Sequence, residues 1–161
     1  MMKLKGIVME DFVNFSKPSL FLITSYCDWK CCKEQDIDIS ICQNQPLCDQ
    51  PTKEYTSISI YNAYISNDIS KAIVIGGLEP MLQFDEVYEL ISYFRNHGCE
   101  DFFIIYTGYY QEEIDDKVKQ LQQFPNIIIK FGRFIPNQEH HFDEILGVQL
   151  ASPNQYARRI S

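Results

Sequence analysis

Ala72-Ile73-Val74-Ile75, a helical pattern over Asp85–His97 and then Phe102-Phe103-Ile104-Ile105-Tyr106 form the stretch that decides the fold. Neither apolar run alternates with polar residues, so both predict strands buried on two faces rather than a half-wet sheet. Between them Val87, Leu90, Ile91 and Phe94 recur on one helical face, acidic residues open the first turn, and Gly98 stands at the C-terminal stop. Downstream the scheme repeats. Gln111–Gln123 places Ile114, Val118 and Leu121 on one face, with Glu112, Glu113, Asp115 and Asp116 near its start and Pro125 beyond its end. It leads into Ile127-Ile128-Ile129-Lys130-Phe131. A β-α-β-α-β order with doubly buried strands predicts an α/β domain, a mostly parallel sheet and right-handed crossovers.

Upstream, Leu20-Phe21-Leu22-Ile23-Thr24 reads as one more such strand. Thr56–Asn67 mixes helical spacing (Ile58, Tyr61, Ile65) with β-branched and aromatic residues, and its place before the Ala72 strand favours helix. After the fourth strand, Gly147-Val148-Gln149-Leu150 leaves room for a further strand. The 161 residues make a single domain, 1–161, and 45% hydrophobic residues suffice for a real core. Fourteen Lys and Arg against 22 Asp and Glu leave a net charge of −8 without a basic cluster, which excludes the usual nucleic-acid binder. Met1–Gly6 lacks the apolar segment of a secretory signal and Leu20–Thr24 is too short to span a bilayer, so a cytoplasmic protein without membrane association is expected.

Five of the six cysteines fall between positions 27 and 48. The chain leaves the Leu20 strand as Ser25-Tyr26-Cys27-Asp28-Trp29-Lys30-Cys31-Cys32, continues through the polar stretch 33–53, and presents Cys42 in Ser40-Ile41-Cys42-Gln43-Asn44 and then Cys48. Thiols crowded after a parallel strand lie at the end of the sheet where α/β proteins bind ligands, and in a reducing compartment they predict a soft-metal or iron–sulfur site rather than disulfides. Zinc competes, since four thiolates can close a tetrahedral site, although only Cys27 to Cys31 has the spacing of a zinc knuckle. Cys99 reads as an ordinary buried thiol. The paired His140 and His141 lie in a polar stretch and read as solvated.

A second feature sits at the same end of the sheet. Gly76-Gly77-Leu78-Glu79-Pro80 follows the Ala72 strand; its glycines let a ligand approach the backbone, and a carboxylate beside them suits a cationic amine. With the cysteine loop, this turn, Tyr106-Thr107-Gly108-Tyr109 followed by Glu112-Glu113, Gly132-Arg133-Phe134, and a terminal Ser152-Pro153-Asn154-Gln155, the sequence resembles the radical S-adenosylmethionine enzymes. Within them it is similar to the small activating proteins of anaerobic ribonucleoside-triphosphate reductase. The resemblance has two departures. The family's C-x3-C-x2-C motif is broken, because Glu34 stands where the third cysteine is expected, while Cys42-Gln43-Asn44 reproduces the local pattern of that third cysteine after an insertion. Leu78 interrupts the glycine–glutamate motif.

The resemblance implies an incomplete (βα) barrel carrying a 4Fe-4S cluster on Cys27, Cys31 and Cys42, with Cys32 as the competing third ligand. It implies S-adenosylmethionine held at its methionine amine by Gly76, Gly77 and Glu79, with Trp29 or Tyr26 against the adenine. Reductive cleavage would yield a 5′-deoxyadenosyl radical, and its target would be a glycine of the large anaerobic ribonucleotide reductase subunit. An electron donor such as flavodoxin or ferredoxin would feed the cluster. Two other readings stay open: a non-catalytic or zinc-binding module with a degenerate site, and a radical enzyme acting on a small molecule.

Overall fold

The computed structural model describes residues 1–161. In chain order its elements are β1 (Met2–Asp11), β2 (Ser19–Thr24), α1 (Lys30–Glu34), β3 (Lys53–Tyr55), α2 (Ser57–Ile65), β4 (Ala72–Gly77), α3 (Phe84–Asn96), β5 (Phe102–Tyr106), α4 (Asp115–Leu121), β6 (Ile127–Phe131), β7 (His141–Asp143), β8 (Val148–Leu150) and β9 (Tyr156–Arg159). Seven strands form one mixed sheet in the order β3-β1-β2-β4-β5-β6-β9. Its four central strands, β2, β4, β5 and β6, run parallel, with Ile73 opposite Phe103 and Ile104 opposite Ile128. The outer strands β1, β3 and β9 are antiparallel. The α/β class and the parallel centre therefore stand as expected, and the edges differ.

Both faces of the sheet are buried, but by different material. Ile73, Ile75, Phe103, Ile105, Ile127 and Ile129 pack under α2, α3 and α4 in the larger core. Ala72, Val74, Ile104 and Ile128 face the other way, onto Phe15 from the β1–β2 loop and Leu146 and Leu150 from the β7–β8 hairpin. This corrects the reading of Gly147–Leu150 as a further strand of the main sheet. Val148–Leu150 pairs only with β7, and the place beside β6 is taken by β9. Leu150 is 4% exposed, so the hairpin contributes by capping an apolar face, not by extending a ladder.

Two other boundaries shift. Gln111–Gln123 is not one helix: a 3-10 turn over Gln111–Glu113 precedes α4. The polar stretch 33–53 holds two 3-10 turns, Ile39–Ile41 and Gln45–Asp49. β1 has no continuous apolar run because only one of its faces is buried. Its buried Met2 and Leu4 alternate with Lys3 and Lys5, the period-two pattern of a strand with one wet face. No helix is long and apolar enough to cross a membrane.

One glycine of the β4 turn is obligatory. Gly77 has φ +87°, and a Cβ there would lie 2.6 Å from Ile23 Cγ2 and 3.3 Å from Ile23 Cα on the neighbouring strand. Gly77→Ala is therefore expected to cost about 1–3 kcal/mol from backbone strain alone, before any shift of Ile23. Urea unfolding measures it, and a loss below a few tenths of a kcal/mol would contradict the strained geometry.

Candidate functional site

The C-terminal ends of β2, β4, β5 and β6 open onto a cavity of about 390 Å³. Cys27, Cys31 and Cys42 all line it, together with Trp29, Gly77 and Glu79. Cys27 and Cys31 arrive on the β2–α1 connection, which is bent sharply at Trp29: its φ of 59° is left-handed, a conformation bulky residues rarely hold outside functional sites. That bend aims the Trp29 N–H at Cys27 Sγ, 3.4 Å away, while Asp28 accepts from Lys30 N at 3.1 Å and from the Tyr109 hydroxyl. Cys42 comes from the end of the 39–41 turn, which Asp38 caps through Ser40 N at 2.8 Å.

Burial pushes the Cys27 thiol up to about 12, against the opposing Trp29 N–H. Cys31 is likewise raised by burial, opposed by the Phe134 N–H and by the charges of Lys130 and Arg133. Both are thus protonated thiols until a metal displaces the proton. Cys32 is 1% exposed and does not line the cavity; neither do Cys48 and Cys99. No three His, Cys, Asp or Glu side chains converge closely enough to grip a metal ion as they stand. The donor set still fits an iron–sulfur cluster: three soft ligands face one cavity, with a backbone N–H already directed at a ligand sulfur, as such clusters use to tune potential.

Glu79 is 6% exposed and ties three segments together. Its Oε1 accepts from Met81 N at 3.0 Å and Thr107 Oγ1 at 2.8 Å, its Oε2 accepts from Gly108 N at 2.9 Å, and its own N–H donates to Tyr26 O at 2.6 Å. Burial nevertheless raises its carboxyl above the ordinary range. Gly108 lets this turn close on the site, since a Cβ there would lie 3.1 Å from Cys31 Sγ and 3.6 Å from Glu79 Oε2. Gly76 sits one step outside the cavity wall, its carbonyl accepting from Thr24 Oγ1 at 2.8 Å. Of the two aromatic candidates, Trp29 lines the cavity, whereas Tyr26 is 42% exposed outside it, beside Lys3.

Arg133 locks the surrounding loops. All of its N–H groups find partners: Glu34 (2.8 and 3.0 Å), Glu113 (2.7 and 2.6 Å) and Gly108 O (2.5 Å). Its carbonyl accepts from Asn154 Nδ2 at 2.9 Å, and Gly132 O accepts from Gln155 Nε2 at 3.5 Å. Glu34 therefore points at Arg133 and holds α1 to the β5 and β6 loops. His141, expected in solvent, hydrogen-bonds through Nε2 to Gln155 O at 2.8 Å.

Five stretches distant in sequence thus meet at one sheet end: the cysteine loop, Gly76–Pro80, Tyr106–Tyr109, Gly132–Phe134 and Ser152–Gln155. Residues 18–152 match the family model described as a 4Fe-4S single cluster domain, and those residues contain every cavity-lining thiol. The chain belongs to the 4Fe-4S single cluster domain family. Curated proteins gave no match. An iron–sulfur cluster-binding domain of this family needs soft ligands gathered beside a cavity, and Cys27, Cys31 and Cys42 are the thiols so placed.

Two further groups at the site carry only a weak signal in the sequence. Lys130 lines the cavity, and its signal was a lone charge inside the apolar run Ile127–Phe131. The second is the outer wall. A neighbouring cavity of about 560 Å³ shares Gln43, Phe134, Gln149 and Leu150 with the first and continues past Ile135 and Asn137. No Lys, Arg, Asp or Glu lines it.

Proposed function

We propose that the chain is a radical S-adenosylmethionine activating enzyme that generates a glycyl radical on the large subunit of an anaerobic ribonucleotide reductase. The observation that carries this reading is one cavity lined both by Cys27, Cys31 and Cys42 and by the Gly77-Leu78-Glu79 turn. A 4Fe-4S cluster on three thiolates supplies one electron and leaves an iron open to a chelating substrate. Cys27, Cys31 and Cys42 would hold it. The free lone pair of Glu79 Oε2 and the Gly77 backbone would orient the methionine amine, and Trp29 would lie against the adenine. The four parallel strands would form the wall of an incomplete barrel whose open side faces the partner.

The outer cavity, which no Lys, Arg, Asp or Glu lines, supports the protein substrate. An extended loop with glycine at its tip can enter there without leaving a charge unpaired, and the amides of Gln43, Asn137 and Gln149 can bond its main chain. Such a loop would also exclude water from the site. A donor such as flavodoxin or ferredoxin would supply the electron.

Anaerobic reconstitution followed by electron paramagnetic resonance tests the reading. With reductant, S-adenosylmethionine and the co-encoded large subunit, a protein-centred glycyl radical is expected; cofactor cleavage without such a radical would move the chemistry to a small molecule. A second reading, a module holding zinc or no metal, draws on the lack of preformed convergence among the thiols. A protein that stays colourless after reconstitution, without the broad absorption at roughly 400 nm of iron–sulfur clusters, would establish it.

A further inference from the structure

Lys130 is 7% exposed, and strand alternation turns it away from the helices. Ile127, Ile129 and Phe131 enter the helical core, whereas Ile128 belongs to the opposite face, where Lys130 reaches the thiol cavity. Its ammonium donates a single hydrogen bond, 3.2 Å to Gly132 O, and lies 6.0 Å from the Tyr106 ring centre. It forms no ion pair: the salt bridges of this region belong to Lys30 and Arg133. The acidic groups facing it are Cys31 and Glu79, and the Glu79 carboxylate already serves Met81, Thr107 and Gly108. Arg133, the other cation near Cys31, has its charge matched by Glu34 and Glu113.

A buried ammonium with one neutral partner is costly unless negative charge comes to meet it. Thiolates carrying a cluster in the cavity would supply that charge, and their net charge becomes more negative by one unit on reduction. We infer that Lys130 is the built-in counter-charge of the thiolate-bound cluster and raises its reduction potential. This rests on the cluster reading above, not on the radical chemistry. A fixed cation in a low-dielectric cavity stabilises the reduced state more than the oxidised one, so its removal must make reduction harder.

The test is a potentiometric titration of the reconstituted full chain with dithionite and redox dyes, without S-adenosylmethionine, followed by electron paramagnetic resonance. In Lys130→Met the reduced cluster is expected to be about tenfold less populated at a given potential, a fall of about 59 mV in midpoint for one electron. Lys130→Arg, which keeps the charge, should stay close to the parent. Failure of Lys130→Met to load iron where Lys130→Arg loads it would also support the inference, because charge then decides assembly. Equal midpoints in parent and Lys130→Met would overturn it and leave Lys130 as a partner for a free ligand's carboxylate. Loss of iron in both variants would overturn it as well, showing a steric role. A parent chain that takes up no iron would instead sink the cluster reading itself.

Discussion

Cys27→Ala, Cys31→Ala and Cys42→Ala are each expected to abolish iron retention after anaerobic reconstitution, whereas Cys48→Ala and Cys99→Ala keep the parent's iron content. The first three thiols line the cavity and the last two do not. Cys48 sits on the 45–49 turn with its carbonyl accepting from Lys5 Nζ at 3.0 Å, and Cys99 lies in the α3–β5 turn with its carbonyl held by Arg95 at 2.6 Å. Removing one of three ligands leaves a cluster with two protein bonds, so the loss should be nearly complete. Iron and sulfide analysis decides it. Full iron in Cys42→Ala combined with loss in Cys32→Ala would make Cys32 the third ligand, and would require α1 to turn its buried thiol toward the cavity.

Arg133→Met is expected to destabilise the fold by about 1–3 kcal/mol at pH 7, because it removes several charge-assisted hydrogen bonds, while the Glu34 and Glu113 carboxylates it leaves behind stay 47% and 24% exposed and solvent-screened. The Arg133 side chain is 5% exposed and bridges Glu34, Glu113 and the Gly108 carbonyl, so its loss unties α1 from the β5 loop. Lysine should not rescue it, because one ammonium cannot reproduce the two-carboxylate fork. The deficit should also depend on pH. The hydrogen bond from Arg133 holds the Glu113 carboxyl down to about 2, so its stabilising contribution is complete above the ordinary carboxyl pKa of about 4.3 and disappears as pH falls toward 2. Urea titrations at pH 7 and at pH 3 should therefore show a smaller gap between parent and variant at the lower pH. A gap below about 1 kcal/mol at pH 7 would mean that the network is dispensable.

Much of this protein was legible in its residues because the informative signals are local. Ile127–Phe131 and Phe102–Tyr106 are doubly buried strands by their lack of alternation, and α3 is a helix by its apolar stripe and acidic first turn. The β-α-β order then requires a parallel centre, since strands joined through a helix return in the same direction. The crowding of thiols after β2 and the glycine turn after β4 both point to one end of that sheet.

Other assignments depended on contacts between residues far apart in sequence. Nothing within Gly147–Leu150 shows that its apolar residues cap a sheet face instead of joining a ladder; that depends on Phe15 and Leu146 filling the same face and on β9 already occupying the edge beside β6. Glu34 is one more acidic residue in the sequence, and only the approach of Arg133 from 99 positions away makes it a clamp. Lys130 reads as an oddity inside an apolar strand until the fold places it beside the thiols. The sequence by itself determined the class, the parallel centre of the sheet and the end of it where thiols and glycine turn gather, because periodicity and turn chemistry act over a few residues. Only the tertiary structure decided which thiols share a cavity and which charges face them, because both depend on how separate loops pack.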